Sequence, residues 1–255
     1  MKWNPELYLK YKNERTQPYI DLVRRIPLEF PKRIIDIGCG PGNSTAVLAE
    51  RYKNCYILGL DNSENMIETA KKQYPNLDFM LFDAGTDEYT IGKFDIVFSN
   101  ACIQWISNHP KLLKNMMSLL NAGGVLAVQI PINLNEPIHQ IINELSASPR
   151  WRDLIGNARI FNILPTEEYF SIIGSLSEDF EMWETIYYHR MKSHAEIMEW
   201  YMGTGLRPYL QKLNEDDRRE FLKQVYQEVV KAYPLQTNGE IIFKFPRFFF
   251  IANKS

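Results

Sequence analysis

The sequence has few cysteines and no long apolar run. Its three cysteines, Cys39, Cys55 and Cys102, are odd in number and lack paired spacing, so neither a disulfide framework nor a zinc site is expected. No stretch is apolar for long enough to span a bilayer, and the N-terminal residues lack the apolar segment of a signal peptide. We therefore expect a cytoplasmic protein with no bound metal.

An excess of positive charge is also absent. The 29 basic and 31 acidic side chains give a formal net charge of -2, which provides no field to hold a polyanion by counterion release. Neither nucleic acid nor a membrane is therefore an expected partner. Hydrophobic residues make up 45% of the 255 residues, enough to bury one large core. We expect a monomer with an accessory lobe.

Short β-rich apolar runs alternate with helical patterns between Arg33 and Gln129, an order typical of βαβ units and a parallel sheet. One helix should begin after Ser63, a good N-cap, and end before Pro75. The five predicted strands are residues 33–38, 56–61, 78–82, 94–99 and 125–130. Their order predicts a sheet domain in the first half of the chain.

The second half of the chain predicts helices around two further strands. Irregular helices should occupy 134–175 and further helices 193–233, with a break at 203–208. A sixth strand is predicted at 180–191 and a last strand at 241–252. We place the last strand mainly after Pro246, because proline has no N–H to donate to a ladder.

A glycine-rich turn follows the first predicted strand, in the segment Asp36-Ile37-Gly38-Cys39-Gly40-Pro41-Gly42-Asn43. Glycines there allow a sharp turn and a close approach to a ligand. Asp61 ends the next strand about 20 residues further on, where a carboxylate can accept both hydroxyls of a ribose. Asn43 replaces the third glycine of the dinucleotide pattern, and with Pro41 it argues against NAD. Asp36 suits a ligand that carries an ammonium group and a sulfonium.

This loop resembles motif I of the class I S-adenosylmethionine-dependent methyltransferases. The resemblance implies an α/β fold: a Rossmann-like, doubly wound, mostly parallel seven-stranded sheet whose last strand is antiparallel, with a helical substrate cap. Asp83-Ala84 looks like the family's adenine contact, although Asp83 could instead cap a turn, and Asn100-Ala101 looks like the contact to the methionine end. The predicted cofactor-binding residues are Asp36, Gly38, Gly40, Asn43, Asp61, Asn62, Met66, Asp83, Ala84, Asn100 and Trp105.

Longer segments resemble the trans-aconitate 2-methyltransferase family. They are Trp3-Asn4-Pro5-Glu6-Leu7-Tyr8, Ala101-Cys102-Ile103-Gln104-Trp105, Tyr187-Tyr188-His189, Thr204-Gly205-Leu206-Arg207-Pro208 and Phe245-Pro246-Arg247, and the match is weakest across 145–165. The resemblance implies methyl transfer from S-adenosylmethionine to a carboxylate of trans-aconitate, giving the monomethyl ester and S-adenosylhomocysteine. An ionised carboxylate needs no general base. We therefore assign no catalytic residue and expect catalysis by positioning.

A polycarboxylate substrate requires cationic and hydroxyl donors around it. Tyr187 and His189 should share one face of the sixth strand, and Tyr188 should take the other. Arg247 lies in an aromatic run, where a charge is costly unless it faces a wet or ligand-filled space. Trp105 is either a wall beside the reacting methyl or a buried packing residue. The candidate substrate residues are Tyr8, Arg15, Tyr187, His189, Arg207 and Arg247.

Three regions follow from this interpretation. Residues 1–133 form an N-terminal lid segment and the cofactor-binding core, 134–235 the sixth strand and the helical cap, and 236–255 the final strand of the core sheet. Two alternatives stay open: a methyltransferase for another small acceptor, and a module that binds S-adenosylmethionine without catalysis. An NAD-dependent oxidoreductase is disfavoured by Asn43.

Overall fold

The computed structural model describes residues 12–156, 161–203 and 205–255, and their side chains from Thr16 onward. The strands are β1 (Arg33–Ile37), β2 (Tyr56–Asp61), β3 (Asp78–Leu81), β4 (Phe94–Asn100), β5 (Leu120–Pro131), β6 (Phe180–Met191) and β7 (Ile241–Asn253). The helices of the described ranges are α1 (Lys12–Arg25), α2 (Asn43–Arg51), α3 (Glu64–Gln73), α4 (His109–Ser118), α5 (Pro137–Ala147), α6 (Pro149–Ile155), α7 (Thr166–Gly174), α8 (His194–Met202), α9 (Arg207–Leu210) and α10 (Glu215–Ala232). A 3-10 turn, Ile103–Trp105, precedes α4.

The sheet has seven strands in the order β3-β2-β1-β4-β5-β7-β6. β1 pairs in parallel with β2 and with β4, β2 with β3, and β4 with β5, whereas β7 runs antiparallel to β5. This confirms the predicted mostly parallel sheet with an antiparallel last strand. Successive strands β2 and β3 are added on one side of β1, whereas β4 and β5 are added on its other side. The strand order therefore switches sides between β1 and β4. In open α/β sheets, ligands bind outside the carboxyl ends of the strands at such a point.

The central strands are buried on both faces, which explains why their sequences are apolar without alternation. Ile34 and Ile35 on β1 and Val97 and Phe98 on β4 are fully buried. Burying each such side chain contributes roughly 1.5–3 kcal/mol. These buried side chains therefore stabilise the sheet. Polar residues lie in the turns that follow the carboxyl ends of the strands.

The placement of the last strand mainly after Pro246 is wrong, because β7 runs through this proline. The ladder between β5 and β7 extends to the pair Pro131 and Arg247. The next bond, from Ile132 N to Pro246 O at 3.1 Å, uses the proline oxygen. Its reciprocal bond is the one that proline cannot make, and it falls just beyond the end of β5. Pro246 therefore removes one hydrogen bond, and that bond lies at the end of the ladder between β5 and β7.

The described residues form two compact units. The core unit contains the described residues within 16–131, 161–185 and 247–255, and the helical unit contains those within 1–15, 132–160 and 186–246. In the helical unit, the Trp151 and Phe221 rings meet edge to face at 5.2 Å, and the Tyr233 hydroxyl accepts from Ile138 N at the start of α5 at 3.1 Å. Within the described ranges, no helix has both the length and the apolar character needed to cross a membrane.

Candidate functional site

The glycine turn after β1 has the backbone conformation that its sequence predicts. Gly38 and Gly40 have φ angles of 78° and 55°, in the left-handed region that favours glycine. A Cβ on Gly38 would lie 2.2 Å from Cys102 Sγ, so no larger residue fits there. A Cβ on Gly40 would meet no described atom within 4 Å. The turn therefore borders open space at Gly40, where a ligand can approach the backbone.

Asp61 is held against this turn by backbone donors. Its Oδ2 accepts from Gly40 N at 3.0 Å, and its Oδ1 accepts from Ser63 N at 2.9 Å. Burial raises the pKa of Asp61, and the two N–H bonds oppose that rise. Each carboxylate oxygen retains a lone pair for a ligand hydroxyl. The structure thus brings together the predicted ribose acid and the predicted glycine turn.

Asp36 lies buried beneath the same turn, with no exposed surface. Its Oδ2 accepts from Ser44 Oγ at 2.6 Å and from Thr45 Oγ1 at 2.7 Å. Its Oδ1 has no hydrogen-bond partner in the part of the chain that the structure describes. Burial raises the pKa of Asp36 to about 6, the Ser44 and Thr45 hydroxyls oppose the rise, and the charge of Asp61 adds to it. A buried acid with one unused oxygen suits a cationic ligand group.

Asn43 begins α2, and its Oδ1 accepts from the Tyr74 hydroxyl at 3.0 Å. This bond occupies one acceptor position of the side chain, and the helix N-terminus still offers backbone N–H groups that α2 itself does not use. Asn62 is exposed after β2, and Met66 is half-buried on α3. These three predicted cofactor residues therefore lie in the connections that follow β1 and β2, two of them within the first turns of helices.

Asp83 and Ala84 follow β3. Asp83 Oδ1 accepts from Gly85 N at 2.8 Å, which is the turn cap considered as its alternative role. Asp83 N donates to Asp87 Oδ2 at 2.7 Å. Ala84 is buried and Asp83 is half-buried. The cap accounts for one oxygen of Asp83, and the other remains chemically able to accept from an adenine amine.

The 3-10 turn after β4 is fixed by a buried histidine, which the sequence analysis did not identify. His109 Nε2 lies 2.8 Å from Ile103 O and 3.0 Å from Ile106 O, and its Nδ1 lies 2.7 Å from the Tyr169 hydroxyl. Because carbonyl oxygens only accept, Nε2 carries a proton and donates to both of them. This histidine holds the turn that ends at Trp105.

Trp105 is 47% exposed, so it is not a buried packing residue. Its ring lies against Phe161, with centroids 4.8 Å apart. Backbone contact reinforces this pair, because Asn162 N donates to Gln104 O at 2.7 Å. The segment that begins at Phe161 is therefore anchored to the turn after β4.

A row of polar residues crosses the carboxyl ends of the strands on one face of the sheet. Asp36 pairs in register with Gly59 and with Phe98. Alternate residues of a strand share a face, so Asp61 and Asn100, two positions further along their strands, lie on the face of Asp36. Asn100 pairs in register with Gln129, which extends the row to β5.

Gln129 and Arg247 complete this row in the core unit. Arg247 is only 7% exposed, and its Nη1 donates to Gln129 Oε1 at 3.5 Å. Asn100 Oδ1 and Gln129 Nε2 are buried without a hydrogen-bond partner among the described residues. Gln129 was not among the residues predicted from the sequence, although a lone polar residue within an apolar strand is a usable signal.

The candidate substrate residues Tyr187 and His189 lie together in the helical unit. Their rings stack with centroids 6.5 Å apart and an interplanar angle of 7°, whereas Tyr188 is 60% exposed, which confirms the predicted division of faces. His189 is buried and lies 5.1 Å from the Trp200 ring. The imidazole thus forms part of an aromatic cluster that also includes Phe243 and Phe245.

The other candidate substrate residues are distributed along the chain. Arg207 begins α9 in the helical unit and is half-buried. Arg247 belongs to the core unit. Tyr8 and the side chain of Arg15 lie outside the described residues. Their roles therefore stay predictions.

Comparison with known proteins assigns the class of this chain. A family model described as a methyltransferase domain matches residues 31–199. The YcgJ protein from Bacillus subtilis shares the fold with a TM-score of 0.61 and 16% identity over 93% of this chain and 98% of that chain. Phosphoethanolamine N-methyltransferase 2 from Haemonchus contortus, solved with S-adenosyl-L-methionine, has a TM-score of 0.53 and 17% identity over 94% and 53%. The fold and the matched domain define a methyltransferase.

Sequence relatives narrow the class further. The trans-aconitate 2-methyltransferase of Methylobacterium radiotolerans is 40% identical over 258 residues, 99% of this chain and 98% of that protein. The protein of the same name from Escherichia coli is 39% identical over 252 residues, 99% and 98% of the two chains. The chain belongs to the family of the trans-aconitate 2-methyltransferases.

Proposed function

We propose that this enzyme transfers a methyl group from S-adenosylmethionine to a carboxylate of trans-aconitate, giving the monomethyl ester and S-adenosylhomocysteine. The observation that carries the proposal is the buried Asp36 oxygen without a described partner beneath a glycine turn. That site lies in a chain similar over nearly its whole length to proteins named for this reaction.

The residues of the core unit fit the cofactor. Bound S-adenosylmethionine supplies a methyl carbon made electrophilic by the attached sulfonium. Asp61 suits the ribose hydroxyls, because its oxygens already face the Gly40 turn. Asp36 Oδ1 suits the ammonium group, and Asn100 would contact the methionine end. The proposed site is completed by residues from the connections after β1, β2, β3 and β4: Gly38, Asn43, Asn62, Met66, Asp83, Ala84 and Trp105.

The acceptor requires placement and no base. A carboxylate with a pKa near 4 is ionised at neutral pH, so its oxygen can form the new O–C bond while the electron pair of the S–C bond leaves with sulfur. In-line orientation can lower such a barrier by roughly 7–11 kcal/mol. The residues proposed to orient the acid are Tyr8, Arg15, Tyr187, His189, Arg207 and Arg247.

A methyl-transfer screen over small di- and tricarboxylates tests this function. We expect mass spectrometry to find a monomethyl ester, with the highest kcat/KM for trans-aconitate. Asp61→Ala should raise the KM for S-adenosylmethionine roughly tenfold or more, because the loss of hydrogen bonds to a charged group costs about 1.5–3 kcal/mol. Asp216→Ala is the matched control, since this exposed acid on α10 pairs only at the surface with Arg219.

Three outcomes would contradict the proposal. Transfer only to another acceptor would assign a different substrate. Cofactor binding without transfer to any acceptor would indicate a binding module. Absence of cofactor binding would refute the site itself.

A further inference from the structure

Gln129 is a buried amide whose orientation is set by its neighbours. It lies on β5 with no exposed surface, and its register partners are Asn100 on β4 and Phe249 on β7. Its Oε1 accepts from Arg247 Nη1. This bond directs the Nε2 donor away from Arg247, and Nε2 has no partner among the described residues. A buried donor without a partner is costly, so its retention indicates a ligand.

The position of Gln129 in the sheet indicates which ligand it meets. It lies on the same face as Asp36, Asp61 and Asn100, one strand beyond Asn100, and Arg247 lies one strand further. A group that bridges the cofactor side and the buried guanidinium must therefore pass Gln129. An anion that extended from Arg247 toward the cofactor residues would therefore pass close to this donor.

We propose that Gln129 is a specificity-determining residue that donates from Nε2 to a carboxylate of the acceptor. This inference rests on the proposed function. A neutral donor is well suited to this position, because a second cation beside the sulfonium would be repelled by it. The bond from Arg247 to Oε1 polarises the amide and strengthens its donor. Gln129 thus adds a hydrogen bond to the acid without adding charge.

Two variants of similar size test this role. Gln129→Met removes the donor and the acceptor, and Gln129→Glu replaces the donor with a negative oxygen that can pair with Arg247. Both should retain the Kd for S-adenosylmethionine. With trans-aconitate, Gln129→Met should raise KM roughly 10- to 100-fold, the loss expected for one hydrogen bond to a charged group. Gln129→Glu should have a larger effect, because its charge repels the acid.

The order of the two variants separates recognition from packing. If Gln129 served only to satisfy Arg247, the glutamate variant would be the milder one, because its carboxylate pairs with the guanidinium. Selectivity provides a second readout: the kcat/KM ratio of trans-aconitate to dicarboxylates should fall in Gln129→Met. Val128→Ala is the control, because Val128 directly precedes Gln129 on β5 and its side chain lies on the opposite face of the sheet. It should lower the Tm and leave selectivity unchanged.

The wild-type enzyme distinguishes the two possible failures. A wild type that esterifies no polycarboxylate would overturn the proposed function and this inference with it. An active wild type together with unchanged KM and selectivity in Gln129→Met would overturn the role of Gln129 alone. If Gln129→Met fails to fold, the inference is decided by trans-aconitate binding to Gln129→Glu with S-adenosylhomocysteine present, where wild-type affinity would refute it.

Discussion

Asp36 is the residue at which charge and burial conflict most directly. Its pKa rises from 3.8 to about 6 because the carboxyl is buried. The folded state therefore holds this proton more tightly than the unfolded state, which stabilises the fold below pH 4. That stabilisation is lost as the pH rises from about 4 to about 6, and ionised Asp36 then costs the ligand-free protein roughly 3 kcal/mol at neutral pH. A cationic ligand would offset this cost.

We predict that cofactor affinity follows the ionisation of Asp36. The Kd for S-adenosylmethionine should rise as the pH falls below about 6, up to about tenfold per pH unit, and should be constant from pH 7 to 8. Asp36→Asn should bind more weakly and show little pH dependence, and its free energy of unfolding at pH 7 should exceed that of the wild type. Calorimetry and urea denaturation measure these quantities. Equal wild-type affinity at pH 5 and pH 7 would contradict the assignment of Asp36 to the ammonium group.

At the scale of elements, the 3-10 turn depends on His109 and Tyr169 for its position. His109 bonds two carbonyls of the turn region, and Tyr169 on α7 holds the other ring nitrogen. We predict that His109→Phe lowers stability by about 1–3 kcal/mol, because Ile106 O loses its bond to the imidazole and Ile103 O retains only the bond from Ile106 N. Tyr169→Phe should have a smaller effect, since both bonds from His109 Nε2 to the turn carbonyls remain.

Fluorescence of Trp105 reports the loosening of this turn. The chain has five tryptophans, so the signal of Trp105 is obtained by subtracting the fluorescence of a Trp105→Phe variant. This subtraction is made both in the wild-type background and in the His109→Phe background. Acrylamide should quench Trp105 more strongly in His109→Phe than in the wild type. Tyr188→Phe is the control, because this exposed tyrosine lies in the helical unit. Unchanged quenching in His109→Phe would show that the turn keeps its position without His109.

The elements differ in how far their sequences predict them. Asp36 and Asp61 could be found because each lies next to its own strand end in a local pattern. Arg247 was also a candidate, but its contact with Gln129 could not be predicted, because it joins residues separated by 118 positions and requires the β5 and β7 register. His109 and Tyr169 are likewise 60 positions apart. Pro246 was misjudged for the same reason, since a proline's cost depends on where the neighbouring strand ends.

At the scale of the whole molecule, a net charge of -2 gives no general attraction for a polyanion. The acid must therefore be held by local donors, and its own ionisation governs its reactivity. We predict that kcat, measured with both substrates saturating, is constant from pH 6.5 to pH 8.5, because a carboxylate with a pKa near 4 is already ionised throughout this range. A reaction that removed a proton from a neutral acceptor would instead accelerate with pH.

The same measurements separate chemistry from cofactor binding. The kcat/KM for S-adenosylmethionine should fall below pH 6 in the wild type as Asp36 becomes protonated, and Asp36→Asn should lose this acid limb while its kcat remains independent of pH. Initial rates of ester formation over the pH series provide both parameters. A kcat that rises steadily between pH 6.5 and pH 8.5 would require a general base or a neutral acceptor, and carboxylate esterification by positioning alone would then be wrong.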